Sequence, residues 1–151
     1  MFQQLFSGSS GADEVPPCRS PRLSPPTRPG RRRVFVVDDE HIIAETLAEI
    51  LNLNGYHATA FYCAEDALEG LHSGCPEIFI TDVMLLGMNG VEAAVQLRRK
   101  CPGTRTLLFS GQAEASEVLR KAQESGYNFE ILAKPIRPEA LLRRLLQEPA
   151  G

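Results

Sequence analysis

Two patterns of apolar and polar residues alternate along most of the chain. Short runs of β-branched and aromatic residues are followed by stretches in which apolar residues recur every three to four positions, a pattern typical of a strand followed by an amphipathic helix. The pattern repeats five times. The predicted strands are 33–37, 57–62, 77–82, 105–111 and 128–135, and the predicted helices are 40–55, 64–74, 90–103, 113–126 and 137–147.

Strands that alternate with helices in this way predict an α/β fold, a doubly wound parallel sheet with helices on both faces. The predicted strands are nearly continuous apolar runs, as expected for strands that are buried on both faces. In such open sheets, ligand sites lie beyond the carboxyl ends of the strands. The residues at those ends are therefore the first candidates for a functional site.

Charged and polar side chains mark four of the five strand ends. Asp38 and Asp39 follow the first strand, Asp82 ends the third, Ser110 belongs to the fourth and Lys134 to the fifth. Because parallel strands end at one edge of a sheet, these side chains are expected to share a pocket. A single aspartate after a strand is usually a turn residue or a helix cap. The joint occurrence at four strand ends favours a functional site.

The charges of this pocket suit a phosphoryl group bound together with a divalent cation. Three clustered carboxylates repel one another, and Mg²⁺ relieves that repulsion while it binds carboxylate and phosphate oxygens. Lys134 supplies a cation and Ser110 a hydrogen-bond donor for a phosphoryl group. No separate Ser or Cys nucleophile with an adjacent base is recognisable, so an aspartate is the expected acceptor. Asp82 is the best candidate because it stands alone on the middle strand.

Composition restricts the domain organisation and the classes of partner. Residues 1–31 contain six of the eleven prolines, with many Ser, Gly and Arg, so we predict a disordered tail before one folded domain at 32–148. Residues 34–151 hold ten basic and seventeen acidic residues, a net charge of −7, which argues against direct nucleic-acid binding. Neither a secretory signal nor a membrane-spanning run is recognisable, so we expect a cytoplasmic protein without a membrane partner.

The cysteines and the arginines at 31–33 lead to two further predictions. The four cysteines are widely spaced without a CxxC pair, so we expect reduced thiols that are mostly buried as small apolar side chains. The three successive arginines at 31–33 are expected to be solvated rather than bound to an anionic partner.

Taken together, the motifs resemble the receiver domain of bacterial two-component response regulators (CheY-like) over residues 32–147. The resemblance is carried by VFVVDDE, IFITDVMLLGMNGVE, LLFSG and LAKPI. It implies a flavodoxin-like, five-stranded parallel sheet of order 2-1-3-4-5 with five helices on both faces. The chain ends one helix after Lys134, so we expect either a stand-alone receiver domain or a piece of a longer regulator.

The resemblance implies a role for each aspartate. Asp82 is expected to accept a phosphoryl group from a histidine kinase or a phosphotransfer protein. Asp39, Asp82 and the backbone carbonyl of Met84 are expected to bind Mg²⁺, and Asp38 is expected to help through a water molecule. Beyond this phosphotransfer and its reversal by autodephosphorylation, no enzymatic activity is expected.

The resemblance also implies how the signal is passed on. Ser110 and Lys134 are expected to bind the phosphoryl oxygens, and the Lys134–Pro135 bond is expected to be cis. Ser110 is expected to move towards the phosphoryl group and to change the contacts with a downstream protein, which the sequence does not name. The sequence also leaves open that the partner is a second copy of the chain, in a homodimer that forms on phosphorylation.

Two positions depart from the family pattern and keep alternatives open. Leu86 replaces a common proline, and Ile131 replaces the aromatic residue that swings inward on activation in many receivers. A pseudo-receiver that binds partners without phosphorylation is therefore one alternative. A haloacid-dehalogenase-type phosphatase is a weaker one, because the second acid that it needs is Met84 here.

Overall fold

Five parallel strands and five α-helices form the fold of the part of the chain that the structure describes. The computed structural model describes residues 30–111 and 114–147, except the side chains of 114–116, so the predicted tail lies almost entirely outside the described residues. No helix among the described residues is long and apolar enough to cross a membrane. The strands are β1 (Arg32–Val37), β2 (Tyr56–Phe61), β3 (Ile78–Asp82), β4 (Arg105–Ser110) and β5 (Glu130–Ala133), and the helices are α1 (His41–Leu53), α2 (Ala64–Glu69), α3 (Gly90–Lys100), α4 (Glu114–Glu124) and α5 (Pro138–Leu146).

The sheet has the order β2-β1-β3-β4-β5, which confirms the expected topology. All four strand pairings are parallel. Val37 pairs with Thr81, the residue before Asp82, and Ser110 pairs with Ala133, the residue before Lys134. The strands therefore end nearly level, which brings the candidate residues to one edge of the sheet.

Each face of the sheet is covered by its own apolar cluster. Because side chains alternate between the two faces of a strand, neighbours in β1 belong to different clusters. Val34 and Val36 pack with α1 and α5, whereas Phe35 and Val37 pack with α2, α3 and α4. This two-sided burial explains the nearly continuous apolar runs in the sequence.

Several element boundaries differ from the sequence prediction. The second predicted helix, 64–74, is α-helical only to Glu69 and continues as a 3₁₀ turn at Gly70–Ser73. The fifth predicted strand, 128–135, is reduced to Glu130–Ala133. Phe129, which belonged to that apolar run, lies before the strand and packs against the cluster under α4.

The arginines at the start of β1 are not simply solvated. Arg31 donates hydrogen bonds of 3.1 Å to the carbonyls of Asn52 and Tyr56, at the end of α1 and the start of β2. Arg33 donates to the carbonyl of Cys75 at 3.3 Å. The expectation of solvated arginines is therefore wrong for these two, whose guanidinium groups tie neighbouring segments together at the amino edge of the sheet.

The expectation of reduced thiols is also wrong. Cys75 and Cys101 form a disulfide bond with their Cα atoms 5.9 Å apart, and Cys63 is disulfide-bonded as well. Cys75 lies just before β3 and Cys101 just after α3, and the two meet because the helix runs back to the beginning of its strand. Their separation of 26 residues forms no local motif, so spacing could not reveal the bond.

A buried ion pair joins β4, β5 and the end of α5. The Arg105 Nε and Nη2 atoms lie 2.7 and 2.9 Å from the two carboxylate oxygens of Glu130, and Arg105 also donates to the Gln147 carbonyl at 2.9 Å. Arg144 approaches the same carboxylate at 3.4 Å. Burial alone would raise the pKa of Glu130, but the two guanidinium groups outweigh it and lower that pKa.

Removing the disulfide should destabilise the protein by about 3 kcal/mol, because the bond closes a long loop and so restricts the unfolded chain. The double variant Cys75→Ala/Cys101→Ala should therefore unfold at lower urea concentration than the wild type under non-reducing conditions. Two free thiols in the unreduced wild-type protein, or an unchanged unfolding midpoint in the variant, would contradict this expectation.

Breaking the buried ion pair should lower the free energy of unfolding more than breaking an exposed one. Glu130→Gln leaves Arg105 buried without its carboxylate, so we expect a loss of about 3–5 kcal/mol in the free energy of unfolding. Glu77→Gln is the matched control, since its pair with Arg32 is half exposed and should be worth at most about 1 kcal/mol.

The effect of Glu130→Gln should also depend on pH. Because the folded-state pKa of Glu130 is lowered, its ionised form stabilises the fold above the ordinary pKa of 4.5, and this contribution is lost as the pH falls through the lowered value. Urea titrations should therefore show the gap between wild type and variant shrinking in acid. A gap that stays constant or widens would contradict the assignment.

Candidate functional site

The structure brings the three predicted aspartates together at the carboxyl edge of the sheet. One carboxylate oxygen from each of Asp38, Asp39 and Asp82 lies within 4.8 Å of the other two. Asp38 and Asp82 are buried, with exposed fractions of 1% and 5%, and Asp39 is partly buried. Three carboxylates this close repel one another strongly unless a proton or a cation compensates their charge.

Asp38 keeps one of its two carboxylate oxygens without a hydrogen-bond partner. Its Oδ1 accepts the backbone N–H of Glu40 at 2.9 Å, whereas its Oδ2 is buried without a hydrogen-bond partner. Burial raises the pKa of Asp38 to about 6, with a further rise from the charge of Asp82, while the Glu40 N–H acts against the rise. The free oxygen and the all-carboxylate ligand set fit a hard divalent cation such as Mg²⁺.

Asp82 is held from two sides. Its Oδ2 lies 2.6 Å from Nζ of Lys134, and its Oδ1 accepts the backbone N–H of Met84 at 3.2 Å. Burial alone would lower the pKa of Lys134, but the hydrogen bond and charge of Asp82 outweigh it and raise that pKa. The lysine thus reaches the phosphoacceptor candidate directly and neutralises one of the three carboxylates.

Ser110 lies next to this pair as the last residue of β4 and is partly buried. The backbone N–H of Lys134 donates to the Ser110 carbonyl at 3.3 Å, which holds the two predicted phosphoryl-binding residues on adjacent strand ends. The Lys134–Pro135 bond is cis, as expected. The Met84 side chain is about half exposed, and the role of its carbonyl as a metal ligand stays a prediction.

Two glycines keep the backbone close to the site. A Cβ atom at Gly90 would lie 1.9 Å from the carbonyl oxygen of Asp82, so only glycine lets α3 begin there. A Cβ atom at Gly111 would lie 2.9 Å from Cβ of Lys134. Both glycines stand in recognised motifs, but their role in close packing was not predicted, since it depends on contacts between distant segments.

A second group beside the aspartates was missed from the sequence. The Tyr62 hydroxyl donates a hydrogen bond to the Glu45 carboxylate, which is the main cause that raises the pKa of Tyr62 to about 12. The His41 ring stacks on Tyr62 with the ring centres 3.6 Å apart. These contacts join the first turns of α1 to the end of β2, and no local motif signals them because the partners are about twenty residues apart.

The two departures from the family pattern lie on the surface. Leu86 is 79% exposed in the loop between β3 and α3. Ile131 on β5 is 37% exposed. Among the described residues, no hydrogen bond or ion pair of Asp38, Asp82 or Lys134 involves either of them.

Comparison with known proteins agrees with the fold and the motifs. A family model described as the response regulator receiver domain matches residues 34–146. A curated relative, the C4-dicarboxylate transport transcriptional regulatory protein DctD of Rhizobium meliloti (strain 1021), is 26% identical over 110 residues. The match covers 73% of this chain but only 24% of DctD, so the chain spans about a quarter of that relative's length.

Solved structures show the same architecture. A putative response regulator from Chloroflexus aurantiacus J-10-fl is 28% identical with a TM-score of 0.64, and the match covers 76% of this chain and 94% of the other. A CheY-like receiver domain protein from Methanospirillum hungatei JF-1 has a TM-score of 0.67 at 22% identity, over 78% of this chain and 92% of the other, and it supports the fold alone. Since the family model covers most of the chain, this protein belongs to the response regulator receiver domain family of two-component systems.

Proposed function

We propose that this receiver domain accepts one phosphoryl group on Asp82 from a histidine kinase or a phosphotransfer protein. The observation that carries the proposal is the position of the Asp82 carboxylate, 2.6 Å from the Lys134 ammonium and beside two further carboxylates. Receiver domains in general act as signalling modules rather than as enzymes. We therefore ascribe to the protein only its own phosphorylation and the hydrolysis that reverses it.

In the proposed transfer, an Asp82 oxygen attacks the phosphorus atom of the donor. A new P–O bond forms while the P–N bond to the donor histidine breaks, and the imidazole that leaves takes up a proton. Lys134 offsets the negative charge on the phosphoryl oxygens, and Ser110 donates a hydrogen bond to one of them. Such positioned charges and donors supply most of the catalysis of phosphoryl transfer.

The same pocket is proposed to hold Mg²⁺. Asp39, Asp82 and the carbonyl of Met84 would be its ligands, and Asp38 would act through a water molecule. The cation would lower the repulsion between the carboxylates and an incoming phosphoryl group. The buried Asp38 oxygen without a partner supports this proposal, since a buried acceptor with no compensation is costly.

Phosphorylation would change the charge around Lys134 and Ser110. A phosphoryl group adds about −1.5 to −2 charges and three acceptor oxygens to Asp82. The Lys134 ammonium, now bonded to the carboxylate, would then bind phosphoryl oxygens, and the Ser110 hydroxyl would turn towards them. Because Ser110 leads through Gly111 towards α4, this movement would change the surface that α4 presents to a downstream protein.

The partners and location belong to the same proposal. We propose a cytoplasmic protein that passes on its signal through a contact with another protein. That protein can be a second copy of the chain, in a phosphorylation-dependent homodimer. The net charge of −7 over residues 34–151 disfavours direct contact with nucleic acid. DctD is by its name a transcriptional regulator, but the similarity extends over only a quarter of it. Disulfides are rare in cytosolic proteins, so cell fractionation with detection of the disulfide tests the proposed location directly.

A pseudo-receiver that binds partners without phosphorylation is the second candidate. It is favoured by the exposed apolar side chains of Met84 and Leu86 in the loop after β3, since such side chains suit protein contacts whether or not Asp82 is phosphorylated. A phosphatase is disfavoured, because Met84 lacks the acid that the reaction needs. Partner binding that survives Asp82→Ala unchanged would support the pseudo-receiver.

Asp82 should react with a small phosphodonor. Incubation with acetyl phosphate and Mg²⁺ should add the mass of one phosphoryl group to the wild-type protein, because the Asp82 oxygen can displace acetate from phosphorus. Asp82→Asn should show no adduct by intact-mass spectrometry, and Glu139→Gln, an exposed carboxylate on α5, should react like the wild type. An undiminished adduct on Asp82→Asn would sink the acceptor assignment.

Magnesium binding should depend on the protonation of Asp38. Since the pKa of Asp38 is raised to about 6, a cation that needs its charge must displace a proton below that pH. The apparent Mg²⁺ affinity should therefore fall by up to about tenfold per pH unit below about pH 6 and level off above it. Calorimetric titration of Asp38→Asn should show weaker binding at neutral pH with a smaller pH dependence. Equal pH profiles for variant and wild type would contradict the role of Asp38.

A further inference from the structure

A groove runs between α3 and α4 on the face of the sheet that α2 also covers. It has a volume of about 460 Å³, and we call it the α3–α4 groove. Its floor is aliphatic and consists of Val91, Val95, Val118 and Ala122. A concave surface with an aliphatic floor of this size is typical of sites that bind an apolar face of another molecule.

The two ends of the groove differ in charge. The end at the carboxyl edge of the sheet holds Asn89 and Glu92, and the opposite end holds Arg99, Lys121 and Tyr127. Both helices run in the same direction, since each follows a strand of a parallel sheet. The groove therefore has one acidic end near the carboxylate pocket and one basic end near the amino edge.

The carboxylate at the acidic end already has hydrogen-bond partners within α3. The Glu92 carboxylate accepts the backbone N–H of Asn89 at 3.2 Å, and the Asn89 side chain accepts the N–H of Glu92 at 2.8 Å. This reciprocal capping box occupies both side chains. The carboxylate also lies in the first turn of α3, where the helix dipole favours a negative charge.

The basic end lacks acidic partners among the described residues. Neither Arg99 nor Lys121 has a carboxylate within 4 Å among the residues that the structure describes, and Arg99 only approaches the Tyr127 hydroxyl at 3.4 Å. Arg120, beside Lys121 in the sequence, is paired with both Glu117 and Glu124. Two cations without acidic partners thus lie at one end of an aliphatic groove in a domain that is otherwise acidic.

We propose that the α3–α4 groove binds an amphipathic helix of a partner protein that carries acidic residues in its first turns. The apolar face of that helix would lie on the aliphatic floor, and its acids would pair with Arg99 and Lys121. The helix would run antiparallel to α3 and α4, because acidic residues favour a helix N-terminus and the carboxyl ends of α3 and α4 attract its positive dipole end.

The chain's own residues 1–29 hold three arginines against two acids, a net charge that gives the segment as a whole no attraction to the basic end. The groove lies outside the carboxylate pocket, and its proposed use does not require phosphorylation of Asp82.

A peptide library tests the charge and the place of binding together. Display peptides with a helical stripe of fixed Leu and Ala, and with Glu or Lys at each polar position, would be selected on the full, unmodified chain. We expect enrichment of Glu over Lys in the first two turns. The selected peptides should shift the amide NMR signals of α3 and α4, including those of Val95 and Ala122.

Matched variants test whether Arg99 and Lys121 are responsible for peptide binding. Arg99→Glu/Lys121→Glu should weaken a selected peptide at least about tenfold, because two attractive pairs become repulsive. Arg143→Glu, on α5 at the other face of the sheet, should leave binding unchanged, and circular dichroism should show that both proteins are folded. Enrichment of Lys, full binding by the double variant, or shifts outside α3 and α4 would overturn the proposal. So would groove shifts that appear on concentrating the protein alone, since a second copy would then be the occupant.

Discussion

Repulsion among the three carboxylates at one end of the sheet is the constraint on which the site depends. The level ends of β1 and β3 bring the oxygens of Asp38, Asp39 and Asp82 within 4.8 Å of one another. Lys134 contacts Asp82 directly, at 2.6 Å, and offsets the charge of Asp38 only from a distance, while the buried Oδ2 of Asp38 keeps no hydrogen-bond partner. The pocket is therefore only partly compensated by the protein itself, which is why it suits a cation and a phosphoryl group.

The opposite end of the same strands is fixed by strong internal contacts. Arg105 and Glu130 form a buried bidentate pair at the amino ends of β4 and β5, whose carboxyl ends carry Ser110 and lead to Lys134. The disulfide between Cys75 and Cys101 closes the unit of β3 and α3 at that same amino edge. The buried ion pair and the disulfide thus lie at the end of the sheet opposite to the three carboxylates.

The sequence was sufficient for the parts of the molecule that depend on periodicity along one segment. The strand pattern and the rule for parallel sheets located Asp38, Asp82 and Ser110 at strand ends, and the family resemblance supplied the strand order. Contacts between distant segments could not be predicted in this way. The ion pair of Arg105 with Glu130 is an example, because both residues belong to runs that predict apolar strands and only the sheet register brings them together.

The most direct test of Asp82 as the phosphoacceptor is to map the phosphorylated residue chemically. Treating the phosphorylated protein with sodium borohydride reduces an aspartyl phosphate to homoserine, which tandem mass spectrometry of the peptides can locate. The direct contact with Lys134, at 2.6 Å, distinguishes Asp82 from Asp38 and Asp39 among the described residues. Homoserine is expected at position 82 and at neither Asp38 nor Asp39. Homoserine at either of those positions, or at none of the three, would contradict it.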